Sequence, residues 1–248
     1  MRTAARPPRA AELLALQDTL YASRNPTRRW LHAERRRWIE AALRSLAGAG
    51  ARTAVEVGPG SGVYLALMRE LFAEVTATDV EDAFLVRARA IEGIRVVRDD
   101  VTRSALPAGS FDVVLCSEVI EHVPDPAPAL RGLRRLLAPG GTLVLSTPLR
   151  LSPLELLGRV AFLPGIVQVV RLVYREPILP TGHVGLLTER ALRRELAAAG
   201  LRVRASAKTG LYLPLVAEAG GARGQRVLAR LARHGRLLWT QLYLCDAA

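Results

Sequence analysis

The chain of 248 residues has little of what marks several protein classes. It has two cysteines, Cys116 and Cys245, each in an apolar stretch that reads as a strand. Such thiols read as core residues rather than as a disulfide or a nucleophile, which argues against a cystine-stapled fold. Lysine is nearly missing: Lys208 stands alone, and arginine supplies almost all of the net charge of +12. A bias of this kind follows from a GC-rich genome as readily as from nucleic-acid binding. It still suits an anionic membrane surface or an acidic substrate. No secretory leader is visible, because Glu12, Gln17 and Asp18 interrupt the apolar run that follows the Arg-rich residues 1–10. The most apolar region is likewise broken, by Glu155, Arg159, Pro164 and Arg171, so a membrane span does not fit. A cytoplasmic location is expected, with a possible hold on the membrane surface. No internal repeat is present.

What the chain does have is enough apolar residue, 50%, for a packed core. Its length suits one α/β domain with a small addition. The organising stretch is Val55-Glu56-Val57-Gly58-Pro59-Gly60-Ser61-Gly62. An apolar run from Ala54 to Val57 ends in three glycines, and Val63 to Leu71 then reads as a helix. Strand, tight turn and helix start leave exposed N–H groups that favour an anionic or polar ligand. Such a turn can also be purely structural. About twenty residues on, the strand Val75 to Ala77 ends in Thr78-Asp79-Val80, where a doubly wound fold holds a ribose through an acid. Asp79 can equally cap the next helix, Glu81 to Ala90, and the two roles are compatible.

Three features favour a nucleoside-methionine cofactor over NAD. The turn is not G-x-G-x-x-G; Asp99-Asp100-Val101 follows the third strand, Ile94 to Val97, where an adenine can be read; and Ala138-Pro139-Gly140-Gly141-Thr142 precedes a further strand. Asp100 is the first choice for the adenine amino group, with the Val101 N–H on a ring nitrogen and Asp99 as the fallback.

The set VEVGPGSG, TDV, RDDV, FDVVLCSEVIEHVPDP and LAPGGTLVLSTP resembles the class I S-adenosylmethionine-dependent methyltransferases, the type 11/12 group. Within them it is most similar to the ubiquinone-biosynthesis O-methyltransferases, from about Asn25 onward. The resemblance implies a Rossmann-like, doubly wound α/β sheet of seven strands, order 3-2-1-4-5-7-6, with the last strand antiparallel. It implies a single domain over 1–248, divided into an N-terminal helical lid (1–48), a cofactor-binding core (49–147), an inserted hydrophobic helical flap (148–182) and the rest of the core (183–248). The implied cofactor is S-adenosyl-L-methionine, held by Glu56, Gly58, Pro59, Gly60, Gly62, Asp79, Val80, Asp99, Asp100, Val101 and Ser117. Arg24, beside Asn25-Pro26, matches a cofactor-contacting arginine of the family. His183, in Thr181-Gly182-His183, matches a histidine that relatives turn toward the acceptor.

Ser117-Glu118-Val119-Ile120-Glu121-His122-Val123-Pro124 follows the fourth strand, Phe111 to Ser117. Ligands of open α/β sheets bind outside the carboxyl ends of the strands. If the chain turns helical here, Glu118, Glu121 and His122 share one face. His122 can then take a proton from an acceptor hydroxyl while a carboxylate orients its ring. Alternatively Glu118, Glu121 and His122 ligate a divalent cation that lowers the hydroxyl's pKa. A third reading has Glu121 and His122 merely bracing the turn before Asp125-Pro126. The ubiquinone-type enzymes carry the same E-x-x-E-H spacing, and some are described as metal-dependent through it.

The N-terminal part, Arg9 to Leu46, reads as two helices split at Asn25-Pro26. The second carries Trp30, Leu31, Trp38, Ile39 and Leu43 interleaved with Arg28, Arg29, Arg35, Arg36 and Arg37, either a packed helix with a solvated basic face or a lid that meets anionic headgroups. Pro148 to Thr181 reads as an amphipathic insertion that docks in a lipid interface or closes a greasy site in solution. Ala127 to Leu137 and Ala191 to Ala199, the latter capped by Thr188, read as helices. Thr142 to Ser146, Leu201 to Ala207 and Leu237 to Leu244 read as strands, with Tyr212 near the acceptor. Gly220, Gly221 and Gly224 read as a flexible link before a helix from Gln225 to Arg233.

No Asn/Asp-Pro-Pro-Tyr/Phe follows the fourth strand and no Pro-Cys is present, which argues against methylation of DNA bases. The expected reaction is methyl transfer to a small hydrophobic or lipid-like acceptor, at a hydroxyl and quinone-precursor-like. The rivals are a tailoring methyltransferase of a glycolipid, polysaccharide or secondary metabolite, and a non-catalytic binding module on the same fold.

Overall fold

A computed structural model describes residues 26–150, 183–211, 216–232 and 238–248, together with Leu14, Gln17 and Ser152. The elements in order are α1 (Pro26–Gly48), β1 (Thr53–Val57), α2 (Leu65–Leu71), β2 (Glu74–Asp79), α3 (Asp82–Arg89), β3 (Ile94–Arg98), β4 (Phe111–Ser117), α4 (Pro126–Leu136), β5 (Leu137–Pro148), α5 (Glu189–Ala198), β6 (Leu201–Leu211), α6 (Val216–Ala232) and β7 (Leu238–Ala247). Short 3₁₀ turns lie at Val101–Arg103 and Ile120–His122. The seven strands form one sheet of order β3-β2-β1-β4-β5-β7-β6. β1 to β5 run parallel, and β7 lies antiparallel between β5 and β6. This is the expected doubly wound topology.

The parallel strands are apolar because helices cover both faces. Val55, Val57, Val114, Cys116, Leu143 and Leu145 pack with Leu130, Leu133 and Leu136 of α4 and Leu192 and Leu196 of α5. The alternate residues, Ala54, Val75, Ala77, Val113, Leu115 and Val144, pack with Ile39 and Leu43 of α1 and Leu65 and Met68 of α2. Both cysteines are buried free thiols in this core, and burial pushes the thiol of Cys116 up and that of Cys245 to about 12.

Asp125 starts α4 by accepting the Ala127 N–H at 3.0 Å, and Thr188 starts α5 by accepting the Ala191 N–H at 3.3 Å. Several boundaries differ from the sequence reading. α2 begins at Leu65 rather than Val63, because left-handed Gly62 (φ 71°) holds the chain in a turn through Tyr64. β6 continues to Leu211, absorbing Thr209-Gly210-Leu211 into pairing with β7. The glycines at 220, 221 and 224 lie inside α6 rather than in a link before it; the link shrinks to a kink at Gly221, φ 49°. The helix expected before Pro26, most of the 148–182 insertion, Arg24 and Tyr212 lie outside the described residues.

Candidate active site

The site forms where the strands end. Alternation along β1, β2 and β4 puts Glu56, Asp79 and Ser117 on the face shared with Ala54, Ala77 and Leu115, toward α1 and α2. Beyond β1 the chain turns through Gly58 (φ 72°) and Gly60 (φ 50°), a conformation that glycine adopts without a Cβ penalty. Close approach is the second reason for glycine here. A Cβ at Gly58 would strike Val119 Cγ2, and one at Gly60 would strike Gln17 Oε1. The turn therefore touches the loop after β4 on one side and an N-terminal side chain on the other.

Glu56 is buried, its Oε2 makes no hydrogen bond, and desolvation raises its carboxyl to about 8. Asp79 accepts the Glu81 N–H at 2.9 Å, so it does brace the turn into α3; burial raises its pKa against that bond. Val80 is half exposed beside it. Of the two acids after β3, Asp100 is the committed one: Oδ1 accepts from the Thr102 N–H at 2.9 Å and hydroxyl at 2.7 Å, and Oδ2 meets Arg103 at 3.2 Å. The Thr102 hydroxyl bond leads in holding its carboxyl below the usual range. Asp99 accepts the Ala105 N–H through Oδ1 at 2.8 Å, while its buried Oδ2 has no hydrogen-bond partner. The fallback residue thus keeps the open acceptor. Val101 is pinned against α4 at Gly132, where a Cβ would collide with the Val101 carbonyl.

The stretch after β4 departs from the single helical face on which Glu118, Glu121 and His122 were expected together. Glu118 has φ 58°, and the 3₁₀ turn starts only at Ile120. The left-handed residue sends the two carboxylates to opposite sides of β5. Glu118 Oε1 accepts from Ser146 Oγ at 3.0 Å, whereas Glu121 Oε2 accepts from Thr147 Oγ1 at 2.9 Å. Adjacent strand residues point to opposite faces, which is why neighbouring serine and threonine take different acids. Ser117 Oγ lies 2.9 Å from Ser146 Oγ.

Glu121 is fully buried, and desolvation, then the neighbouring Glu118, pushes its carboxyl well up. Its carbonyl accepts the N–H groups of Val184 (2.9 Å) and Gly185 (2.8 Å). Those bonds bring His183 beside His122, with ring centroids 5.3 Å apart. One donor atom from each of Glu121, His122 and His183 lies within 4.8 Å of the others. The group that can share a proton or a cation is therefore Glu121–His122–His183, and the expected ligand set of Glu118, Glu121 and His122 is not the one the fold assembles.

Glu118 instead pairs with Arg35 of α1, Nη1 to Oε2 at 2.7 Å. Arg35 was read as part of a basic face, yet it is buried, with its guanidinium 5.7 Å from the centre of the Trp239 ring and His32 edge-on to the same ring at 5.0 Å. The signal was available in the sequence: His32, Arg35, Ile39 and Leu43 recur at helical spacing on one stripe. Gln17 and Gly185, the other residues the sequence reading missed, carried no local signal.

A model described as a methyltransferase domain matches residues 28–206. The chain belongs to the methyltransferase domain family. A ubiquinone biosynthesis O-methyltransferase of Pseudomonas paraeruginosa is 39% identical over 107 residues, 41% of this chain and 46% of that protein. One from Xanthomonas axonopodis pv. citri is 44% identical over 105 residues, covering 40% and 44%. The chain thus spans less than half the length of these curated relatives. The crystal structure of an S-adenosylmethionine-dependent methyltransferase from Mesorhizobium loti aligns with a TM-score of 0.56 at 22% identity, over 83% of this chain and 95% of that one, a likeness of fold. The family's enzyme class and cofactor are those expected from the motifs. The residues present also fit that cofactor: a glycine turn, a buried acid (Glu56) and a half-buried one (Asp99) each with an unpartnered enclosed oxygen, and Asp79 at the end of β2.

Proposed function

We propose that this methyltransferase acts on a hydroxyl of a small hydrophobic acceptor, quinone-precursor-like, at the carboxyl rim beside β4. The observation that carries the reading is the Glu121–His122–His183 cluster, next to the loop that touches the glycine turn. When bound, the donor supplies a methyl group on an electrophilic sulfonium. Glu56, Asp79 and either Asp99 or Asp100 would grip its amino-acid, ribose and adenine parts, with Gly58, Pro59, Gly60, Gly62, Val80, Val101 and Ser117 shaping the cradle.

His122 or His183 takes the acceptor's hydroxyl proton as the oxygen–carbon bond forms and the donor's sulfur–methyl bond breaks, and Glu121 orients an imidazole. Alignment of acceptor and donor supplies much of the remaining acceleration. The apolar sequence of 148–182 supports a greasy acceptor, and a peripheral membrane contact belongs to the same proposal. Among the described residues no helix is long and apolar enough to cross a membrane.

The spacing of the cluster favours a second reading, in which Glu121, His122 and His183 hold a divalent cation that lowers the hydroxyl's pKa. Phenolic, lipid and sugar acceptors are to be screened with methyl-labelled S-adenosylmethionine, before and after chelation. Label on the oxygen of an apolar phenol supports the proposal; label confined to sugars or amines overturns it. Full turnover in chelated protein retires the cation.

A further inference from the structure

Glu118 is the one non-glycine with positive φ among the described residues, and nothing about a glutamate favours that conformation. A strained residue persists only where its surroundings fix it. Here both carboxylate oxygens are held, one by Arg35 and the other by Ser146 Oγ, and the Glu118 N–H donates to the Ser146 carbonyl at 3.0 Å. The arginine comes from a different part of the chain and is itself enclosed. Its side chain is 6% exposed, below the Trp239 ring and one turn from His32. Taking a guanidinium out of water is unfavourable unless the pairing is good, so a bare packing role would be met better by an apolar residue.

The position of Glu118 gives the pair its consequence. Immediately after it, Val119 fills the space against Gly58, which orders the donor cradle. Three residues after it, Glu121 anchors to Thr147 and collects the 183–185 loop. The left-handed residue is thus the junction between the donor side and the acceptor side.

We propose that Arg35 is a positioning residue acting through Glu118: it fixes the junction that sets Val119 against the glycine turn and aims Glu121 at the histidines. Helix α1 thereby becomes part of the reacting site, and docking of its N-terminal half and order in the 118–123 turn are one event. What the site does rests on the methyl-transfer reading; the positioning is a property of the ligand-free protein.

The test measures amide hydrogen exchange in the ligand-free wild type, Arg35→Gln, Arg35→Lys, Glu118→Gln and the double variant Arg35→Gln/Glu118→Gln, with S-adenosylhomocysteine affinity measured by calorimetry. In Arg35→Gln the amides of Glu118, His122 and Val123, which bond to Ser146, Val119 and Ile120, should exchange at least tenfold faster, while Val114 and Leu115 in β4 stay as in the wild type. S-adenosylhomocysteine affinity should fall tenfold or more, Arg35→Lys should recover part of both effects, and the double variant should be no worse than the worse single one. Unchanged exchange at 118–123 with only α1 loosened, or additive effects in the double variant, overturns the proposal. If Arg35→Gln does not fold, Glu118→Gln, which leaves the arginine in place, must loosen the same amides, and failure to do so is equally fatal. A wild type that ignores S-adenosylhomocysteine defeats the methyl-transfer reading, while the exchange data still decide the role of Arg35.

Discussion

Glu56 offers the sharpest check on the donor site. Its carboxyl is raised from 4.5 to about 8 by desolvation, so about nine in ten molecules carry it protonated at pH 7. A cation placed against it would favour the ionised form. Returning the group to its ordinary value is worth roughly 5 kcal/mol at 1.36 kcal/mol per pKa unit, an upper bound for that one contact. Binding of S-adenosylmethionine at pH 7 should therefore release up to about one proton. Calorimetric titrations in phosphate and in Tris, whose ionisation enthalpies differ, would show this as a buffer-dependent binding enthalpy. Glu56→Gln should abolish the buffer dependence and weaken affinity. A second consequence concerns the free protein. The folded state binds the extra proton between the unfolded and folded pKa values, so stability from Glu56 is fully present below about 4.5 and is lost as pH rises toward 8. The Gln variant should flatten that slope in urea melts. Equal binding enthalpies in both buffers, or an unchanged proton release in Glu56→Gln, would refute the assignment of Glu56 to the donor.

Gly185→Ala places a Cβ against the Val123 carbonyl and displaces the two N–H groups that hold the Glu121 carbonyl. At about 1 kcal/mol per hydrogen bond the loss is about 2 kcal/mol, a fall in Tm of roughly 4–8 °C by calorimetry. Acceptor turnover should drop at least tenfold with donor affinity kept, and an unchanged Tm would contradict the loop geometry. Asp79→Ala should cost S-adenosylmethionine at least 100-fold in affinity, since hydrogen bonds to a charged group contribute about 1.5–3 kcal/mol each. Wild-type affinity in that variant removes the ribose from Asp79.

The sheet was readable because each parallel strand is a short apolar run closed by turn residues, and β4 was found to the residue, Phe111–Ser117. The glycine turn after β1 was readable for a similar reason: glycines and acids at strand ends are local signals. The arrangement after β4 was not. The left-handed backbone at Glu118 follows from an arginine far upstream and a serine far downstream, and spacing alone suggested a helix. His122 meets His183 through two backbone bonds that no side-chain pattern encodes. Arg35 was misplaced because an arginine among arginines looks solvated, although its phase with Ile39 and Leu43 marks a buried stripe. The α6 boundary failed only in part: Gly221 does break the helical run, with φ 49° and ψ −130°, but Gly220 and Gly224 fall in the helical segments on either side of it.

β7 follows β6 in the chain, yet it sits between β5 and β6. Until it leaves the ribosome, the nascent sheet shows one raw edge at β5, and β6 has no neighbour in the sheet. Unpaired edges invite pairing with other chains. Trp239, which caps the Arg35 guanidinium, arrives on this same strand. Ordering of the 118–123 turn is therefore deferred until β7 has emerged, and products stalled before it should aggregate rather than accumulate as soluble fragments.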